Sequence, residues 1–190
     1  MRLKLVLAAL ISLSTLPVFS QVAPAVRIGG LPLGVGGGFS SFDLDYGHGS
    51  RMIGASAWAD YSLFHGLGIE AAGTSIFADR PERISRMRQD TIKGGGIYKA
   101  HPFFGVRPYA KFLVGIGSID FPSRYPTYTH DTYLMYASGG GVEYKVWKTL
   151  FVRGDYEYEW WRQYQGPRDL NPNGFTIGAT YYLRGIHRHY

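Results

Sequence analysis

The chain has 190 residues, with 26 Gly, 15 Tyr, 11 Phe and 4 Trp, no Cys, a formal net charge of +6 and a mean hydropathy of −0.11. The lack of cysteine excludes a disulfide framework and a lipid-bearing thiol, and high aromatic content with middling hydropathy argues against a bundle of membrane helices, each of which needs ~20 apolar residues. The pI of about 9.5 comes from Lys and Arg scattered along the chain and not from one clustered face, which disfavours nucleic-acid binding.

At the start, Arg2 and Lys4 precede an apolar stretch over residues 5–18, and Val18, Phe19 and Ser20 stand before Gln21. A positive start, a short hydrophobic core and a small residue at its end mark a secretory signal peptide over residues 1–20, too short for a membrane anchor. Residues 21–190 are then one domain's worth of chain. No later stretch is long and apolar enough for a spanning helix, so a bilayer could be crossed only by a closed barrel, whose strands need ~9–11 residues with every second side chain apolar.

Read with a period of two, the remainder resolves into eight predicted strands, at 34–46, 51–61, 66–77, 89–100, 107–119, 132–145, 150–161 and 174–184. In the first, Val35 and Phe39 fall out of phase with Phe42, Leu44 and Tyr46 across Gly36, Gly37 and Gly38, and a bulge there would reconcile them. The fifth places Ala110, Phe112, Val114 and Ile116 on one face and Tyr109, Lys111, Gly115 and Gly117 on the other. The sixth separates Leu134, Tyr136, Val142 and Tyr144 from Tyr133, Met135, Gly139, Gly141 and Glu143. The seventh is the clearest, with Val152, Tyr156, Tyr158 and Trp160 opposite Arg153, Asp155, Glu157 and Glu159. In the eighth, Phe175, Ile177, Ala179, Tyr181 and Leu183 oppose Thr176, Gly178, Thr180 and Tyr182. A half-wet soluble sheet also alternates, but repeated small residues on the polar face suit the crowded interior of a narrow barrel.

Connections alternate in length. Those near 62–65, 101–106 and 146–149 are short, with His101-Pro102 and Trp147-Lys148-Thr149 read as reversals, whereas 78–88, 120–131 and 162–173 are long and polar. That is the pattern of a barrel with short periplasmic turns and longer outer loops, the first loop at 47–50 being the short exception. Aromatic residues gather at two levels: Tyr61, Phe64, Phe103, Phe104, Tyr109, Tyr144, Trp147 and Phe151 at one rim, and Tyr46, Phe77, Phe121, Tyr133, Tyr158, Trp160 and Trp161 at the other. Girdles at the headgroup level would account for both.

The glycine-rich opening Gly34-Val35-Gly36-Gly37-Gly38-Phe39, the eight-strand rhythm and the closing Gly178-Ala179-Thr180-Tyr181-Tyr182-Leu183 resemble the small outer-membrane barrels that include the opacity proteins and the membrane domain of outer-membrane protein A. The resemblance covers about residues 28–184, and the closing segment looks like the β-signal read by the assembly machinery. It departs from the family in its last residues, where 184–189 precede Tyr190 instead of the final strand ending on an aromatic residue. The resemblance implies an all-β, eight-stranded, antiparallel up-and-down transmembrane barrel in a Gram-negative outer membrane. It also implies a monomer among outer-membrane lipid and lipopolysaccharide, escorted by periplasmic chaperones and the barrel-assembly machinery. No cofactor is implied.

Eight charged residues are expected in the lumen: Glu70, Lys93, Lys111, Glu143, Arg153, Asp155, Glu157 and Arg184. Mixed signs in a narrow interior read as a paired plug, with a small ion path as the porin-like alternative. A lipid-modifying enzyme would draw on His48 and Ser50 or on His130 and Asp131, but neither set has a third group to orient a base. His187 and His189 alone do not make a metal site. A soluble carrier of the lipocalin type would need the opposite polarity, with an apolar lumen. Arg80, Arg83, Arg86 and Arg88 make one outer loop basic and suit lipopolysaccharide phosphates. The expectation is a non-enzymatic envelope or surface-contact protein acting through loops 78–88, 120–131 and 162–173.

Overall fold

The computed structural model describes residues 33–44, 51–78, 87–120, 130–162 and 169–183. Among them are eight strands: β1 (Leu33–Asp43), β2 (Arg51–Phe64), β3 (Leu67–Ala78), β4 (Met87–Lys99), β5 (Val106–Asp120), β6 (His130–Lys145), β7 (Leu150–Trp161) and β8 (Asn173–Leu183). Each pairs antiparallel with its sequence neighbours, and β8 returns to β1 to close a barrel. Closure satisfies every strand edge from within, which a sheet must do where no water reaches its N–H and C=O groups.

The two faces are opposite in polarity. Ile92 and Ile177 are 71% and 67% exposed on the outside, in company with Phe112, Ile116, Leu134 and Phe175, whereas Arg153, Glu143 and Glu70 point inward and are buried. Tyr156 and Trp160 stand outside and Glu157 and Glu159 inside, as their alternation along β7 requires. This arrangement overturns the soluble-carrier alternative, whose lumen would be apolar.

Turns gather at one end, which also holds the start of β1 and the finish of β8. Phe64 pairs with Leu67 across His65-Gly66, and Phe103 bridges Val106 across Phe104-Gly105. All four loop residues have positive φ, from 48° to 84°, so both are two-residue turns of the mirror-image type that matches strand twist. The reversal expected at His101-Pro102 therefore sits three residues later, where Gly105 supplies the left-handed conformation at no steric cost. At the third turn, the Val146 and Trp147 N–H groups both donate to the Leu150 carbonyl.

The bulge expected in β1 is absent. β1 keeps one unbroken register with both β2 and β8, so Val35 and Phe39 face out while Phe42 and Leu44 face in. Phase is preserved, and what changes is the lumen: at that height it is apolar. The bulge lies instead between Ser62 and Phe64 of β2. The girdle assignment needs a similar correction, because Tyr109 and Trp161 are buried inside and Tyr133 packs against the inner apolar cluster. Phe151 is only half-buried and sits edge-on to the inward Tyr182. Tyr61, Phe64, Phe103, Phe104, Tyr144 and Trp147 are exposed at the turn end, and Phe77 and Trp160 towards the loop end; Tyr46 and Phe121 lie outside the described residues.

Candidate functional site

The lumen is built in levels, starting at the turn end. Lys99, at the end of β4, donates to Asp60 Oδ1 at 2.6 Å and to Glu143 Oε1 at 3.2 Å. Arg107, at the start of β5, grips Glu143 Oε2 through both Nε and Nη2 and donates to the Tyr182 hydroxyl at 2.7 Å. Its side chain is still 23% exposed, so this level is the floor of the barrel.

Above it lies a second network centred on Arg153. The guanidinium meets Glu70 as a fork, Nη1 to Oε2 at 2.7 Å and Nη2 to Oε1 at 3.1 Å, and Nη2 also reaches Asp155 at 2.9 Å. Its Nε donates to the Tyr109 hydroxyl, which donates onward to Asp155, each at 2.7 Å. The Arg153 cation also lies between two rings, 4.7 Å from Trp58 and 4.6 Å from Tyr109. Trp58 fits because β1 and β8 are small beside it: a Cβ on Gly36 would collide with its indole. Lys111 pairs with Asp155 at 3.1 Å and Glu157 at 2.8 Å, and Lys93 joins Glu157 to Glu159, the latter at 2.8 Å. On the opposite wall Ser40, Ser56, Thr74 and Thr176 form a chain of hydroxyls 2.6–2.8 Å apart.

The loop-side end is apolar. Phe42, Leu44, Met52, Ile76, Leu113, Ile119, Met135, Trp161 and Leu170 are all buried in one cluster. Leu170 reaches it because its backbone forms a two-way bridge with Trp161. Trp161 links the regions, packing among these side chains while its indole N–H donates to Glu159 at 2.8 Å.

Seven of the eight charged residues expected inside are therefore buried there, and Arg184 lies outside the described residues. Four more lumen groups were missed: Asp60, Lys99, Arg107 and Glu159. Lys99 shares strand parity with Lys93, Arg107 with Lys111, and Glu159 with Glu157, beside which the alternation of β7 already sets it, so extending the alternation to the strand ends finds these three; β2 offers no such recognised inward residue for Asp60. Among the described residues, only Asp60 Oδ2, Gln89 Oε1 and Thr91 Oγ1 are buried side-chain polar atoms without a protein partner. Five cations, Lys93, Lys99, Arg107, Lys111 and Arg153, face six carboxylates, Asp60, Glu70, Glu143, Asp155, Glu157 and Glu159. Chemically this arrangement fills space and neutralises charge.

Arg88 is exposed on the outside of β4 and pairs with Asp90 at 2.8 Å, while Arg80, Arg83 and Arg86 lie outside the described residues. Of the residues considered for catalysis or metal binding, His48, Ser50, His187 and His189 also lie outside them, and His130 and Asp131 are placed only as backbone at the start of β6.

The family described as outer membrane protein beta-barrel domain matches residues 6–182. No curated protein matches the chain. Among solved structures, Neisserial surface protein A aligns with a TM-score of 0.63 at 14% identity, covering 80% of this chain and 96% of that one. Ail, the attachment invasion locus protein of Yersinia pestis, aligns at 0.52 and 16%, covering 79% and 95%. OprG of Pseudomonas aeruginosa aligns at 0.52 and 12%, covering 80% and 96%. At such identities the likeness is one of fold.

Proposed function

The chain belongs to the outer membrane protein beta-barrel domain family, and from that premise we propose that it is a sealed, non-enzymatic barrel of the bacterial outer membrane that acts in envelope integrity or surface contact through its loop end. A leader over residues 1–20 would deliver it to the periplasm, where chaperones and the barrel-assembly machinery would hand it to the membrane as a monomer. The observation that carries the reading is the filled lumen: a floor tied by Glu143, a central network tied by Arg153, and an apolar plug around Trp161 lie in series along one axis. An ion crossing it would have to part buried charge pairs and then enter a hydrocarbon-like cluster, both steeply unfavourable. Planar-bilayer recording of the refolded protein tests this. The expected trace is flat, and a steady open-channel current would overturn the plug in favour of a small pore.

Contact with lipopolysaccharide belongs to the same reading. Arg88 projects outward at the loop end, and Arg80, Arg83 and Arg86 precede it in sequence. Guanidinium groups suit phosphates because their forked donors match the oxygens of the anion. Replacing all four with Gln is expected to weaken lipopolysaccharide binding, and unchanged binding would remove the idea.

A further inference from the structure

The two ends of the barrel differ in the sign of their charge. At the loop end, acids and bases mix: Asp43 opposes Arg51 in register, Arg88 pairs with Asp90, and Asp120 stands opposite Arg88. At the turn end, every charged side chain among the described residues that reaches solvent is basic, namely Arg107, Lys145 and Lys148, while Asp60 and Glu143 are buried beneath them. Two exposed histidines, His65 and His101, lie on the same end. Exposed rings surround it at one level, among them Phe64, Tyr98, Phe103 and Trp147.

Two separate hollows lie on the β2–β4 side of this end. One is an open cup of about 450 Å3 bounded by Ser62, His65, Tyr98, His101 and Arg107. The other is a groove of about 480 Å3 on the outer wall, floored by Ala59, Ala71 and Gly94 and flanked by Leu33, Tyr61 and Ile69. The groove is nearly all apolar, whereas the cup takes in the inward-facing Ser62, Lys99 and Arg107 and so lies at the mouth of the lumen. An apolar outer wall that carries this trough, bounded by a ring of aromatics and then by a basic rim, has the polarity of an anionic amphiphile lying along it: hydrocarbon against the wall and headgroup at the rim.

We infer that the turn end binds anionic phospholipid, with acyl chains against the outer wall, the Ala59–Ala71–Gly94 groove included, and headgroup phosphates at the basic rim that carries Lys145 and Lys148, with His65 and His101 on the same end. The inference rests on the barrel being membrane-embedded. Charge complementarity is its main support: this rim has cations and no exposed acid among the described residues, whereas a mixed rim would not discriminate between lipids. A basic residue near a membrane surface favours anionic lipid by a modest factor each, so the whole rim is expected to give about a three- to tenfold preference.

The test is the association of spin-labelled phosphatidylglycerol and phosphatidylcholine with the refolded full chain in mixed bilayers. The expected result is a three- to tenfold preference for the anionic lipid that falls to about one in K145E/K148E, with a smaller fall in H65Q/H101Q. These residues lie outside the buried networks, and heat-modifiable gel migration confirms that each variant folds. Filling the groove with Ala71→Phe should reduce the number of motionally restricted lipids while leaving charge unaltered. Equal association of the two lipids in the wild type, or a preference unchanged by the charge-reversed variants, would overturn the proposal. Loss of the preference in millimolar inorganic phosphate would also overturn it, showing a free-anion site and not a lipid site. Absence of any motionally restricted lipid would instead show that the barrel is not in the bilayer, which is failure of the underlying reading.

Discussion

The turn-side and loop-side halves of the lumen fill the same kind of space in different ways. Towards the turns, charges and hydroxyls occupy the interior in two connected networks; towards the loops, Leu113, Ile76, Met135 and their neighbours do so by packing alone. Apolar packing tolerates substitution roughly in proportion to the volume lost, whereas a buried ionic network depends on every member, because removing one leaves its partners charged and dry. The ionic half therefore specifies the fold more strictly, while the apolar half supplies cohesion.

The largest effect should come from Arg153→Met, which removes the fork on Glu70 and the bond to Asp155 together. A loss of about 3–5 kcal/mol is expected on urea unfolding in micelles, and adding Glu70→Gln should cost less than the sum of the two single changes, because the two residues share one network. Trp161→Ala removes the largest fully buried side chain, which Gly117 makes room for, and should cost about 3–5 kcal/mol by the same measurement. If transient currents then appear in bilayers while Arg153→Met shows none, the apolar half is the tighter seal. Leu113→Ala should cost about 2–4 kcal/mol, and Ile76→Val only about 0.5–1.5 kcal/mol; equal costs would mean that the loop side is not close-packed. At the lower limit, Arg88→Gln breaks an exposed pair with Asp90 and should change stability by less than about 1 kcal/mol.

Much of this division was legible in the sequence, and the exceptions have two causes. In β5 to β8 the outward face is apolar and the inward face polar or small, except where Leu113, Ile119, Met135 and Trp161 turn inward near the loop end, so alternation assigned Phe112, Tyr136, Glu157 and Thr176 to the sides they occupy. In β1 the rule that inward means polar misled: Phe42 and Leu44 keep the phase of Gly34 and Ser40, and only the character of the lumen changes between them. A period of two encodes which side a residue faces but not what that side contains at a given height, since height depends on how eight strands are staggered. The girdle assignment of Tyr109 and Trp161 has a different cause: it follows their nearness to strand ends, whereas parity, which sets Tyr109 beside Lys111 and Trp161 beside Glu159, turns both inward. The site depends on pairings such as Glu70 with Arg153, 83 residues apart, which no local pattern reveals.

The seam between β1 and β8 sets the order in which any of this can exist. Val35 lies opposite Tyr181, and Ser40 bonds Thr176 at a separation of 136 positions. The first strand thus has half of its backbone partners in the eighth, and a loop that long is slow to close. Hairpins at the two-residue turns can form early, but neither the Arg153 fork nor the Trp161 plug has walls around it until the circle is complete. The barrel is accordingly indivisible: a chain that stops before Asn173 has no smaller version of this structure available to it.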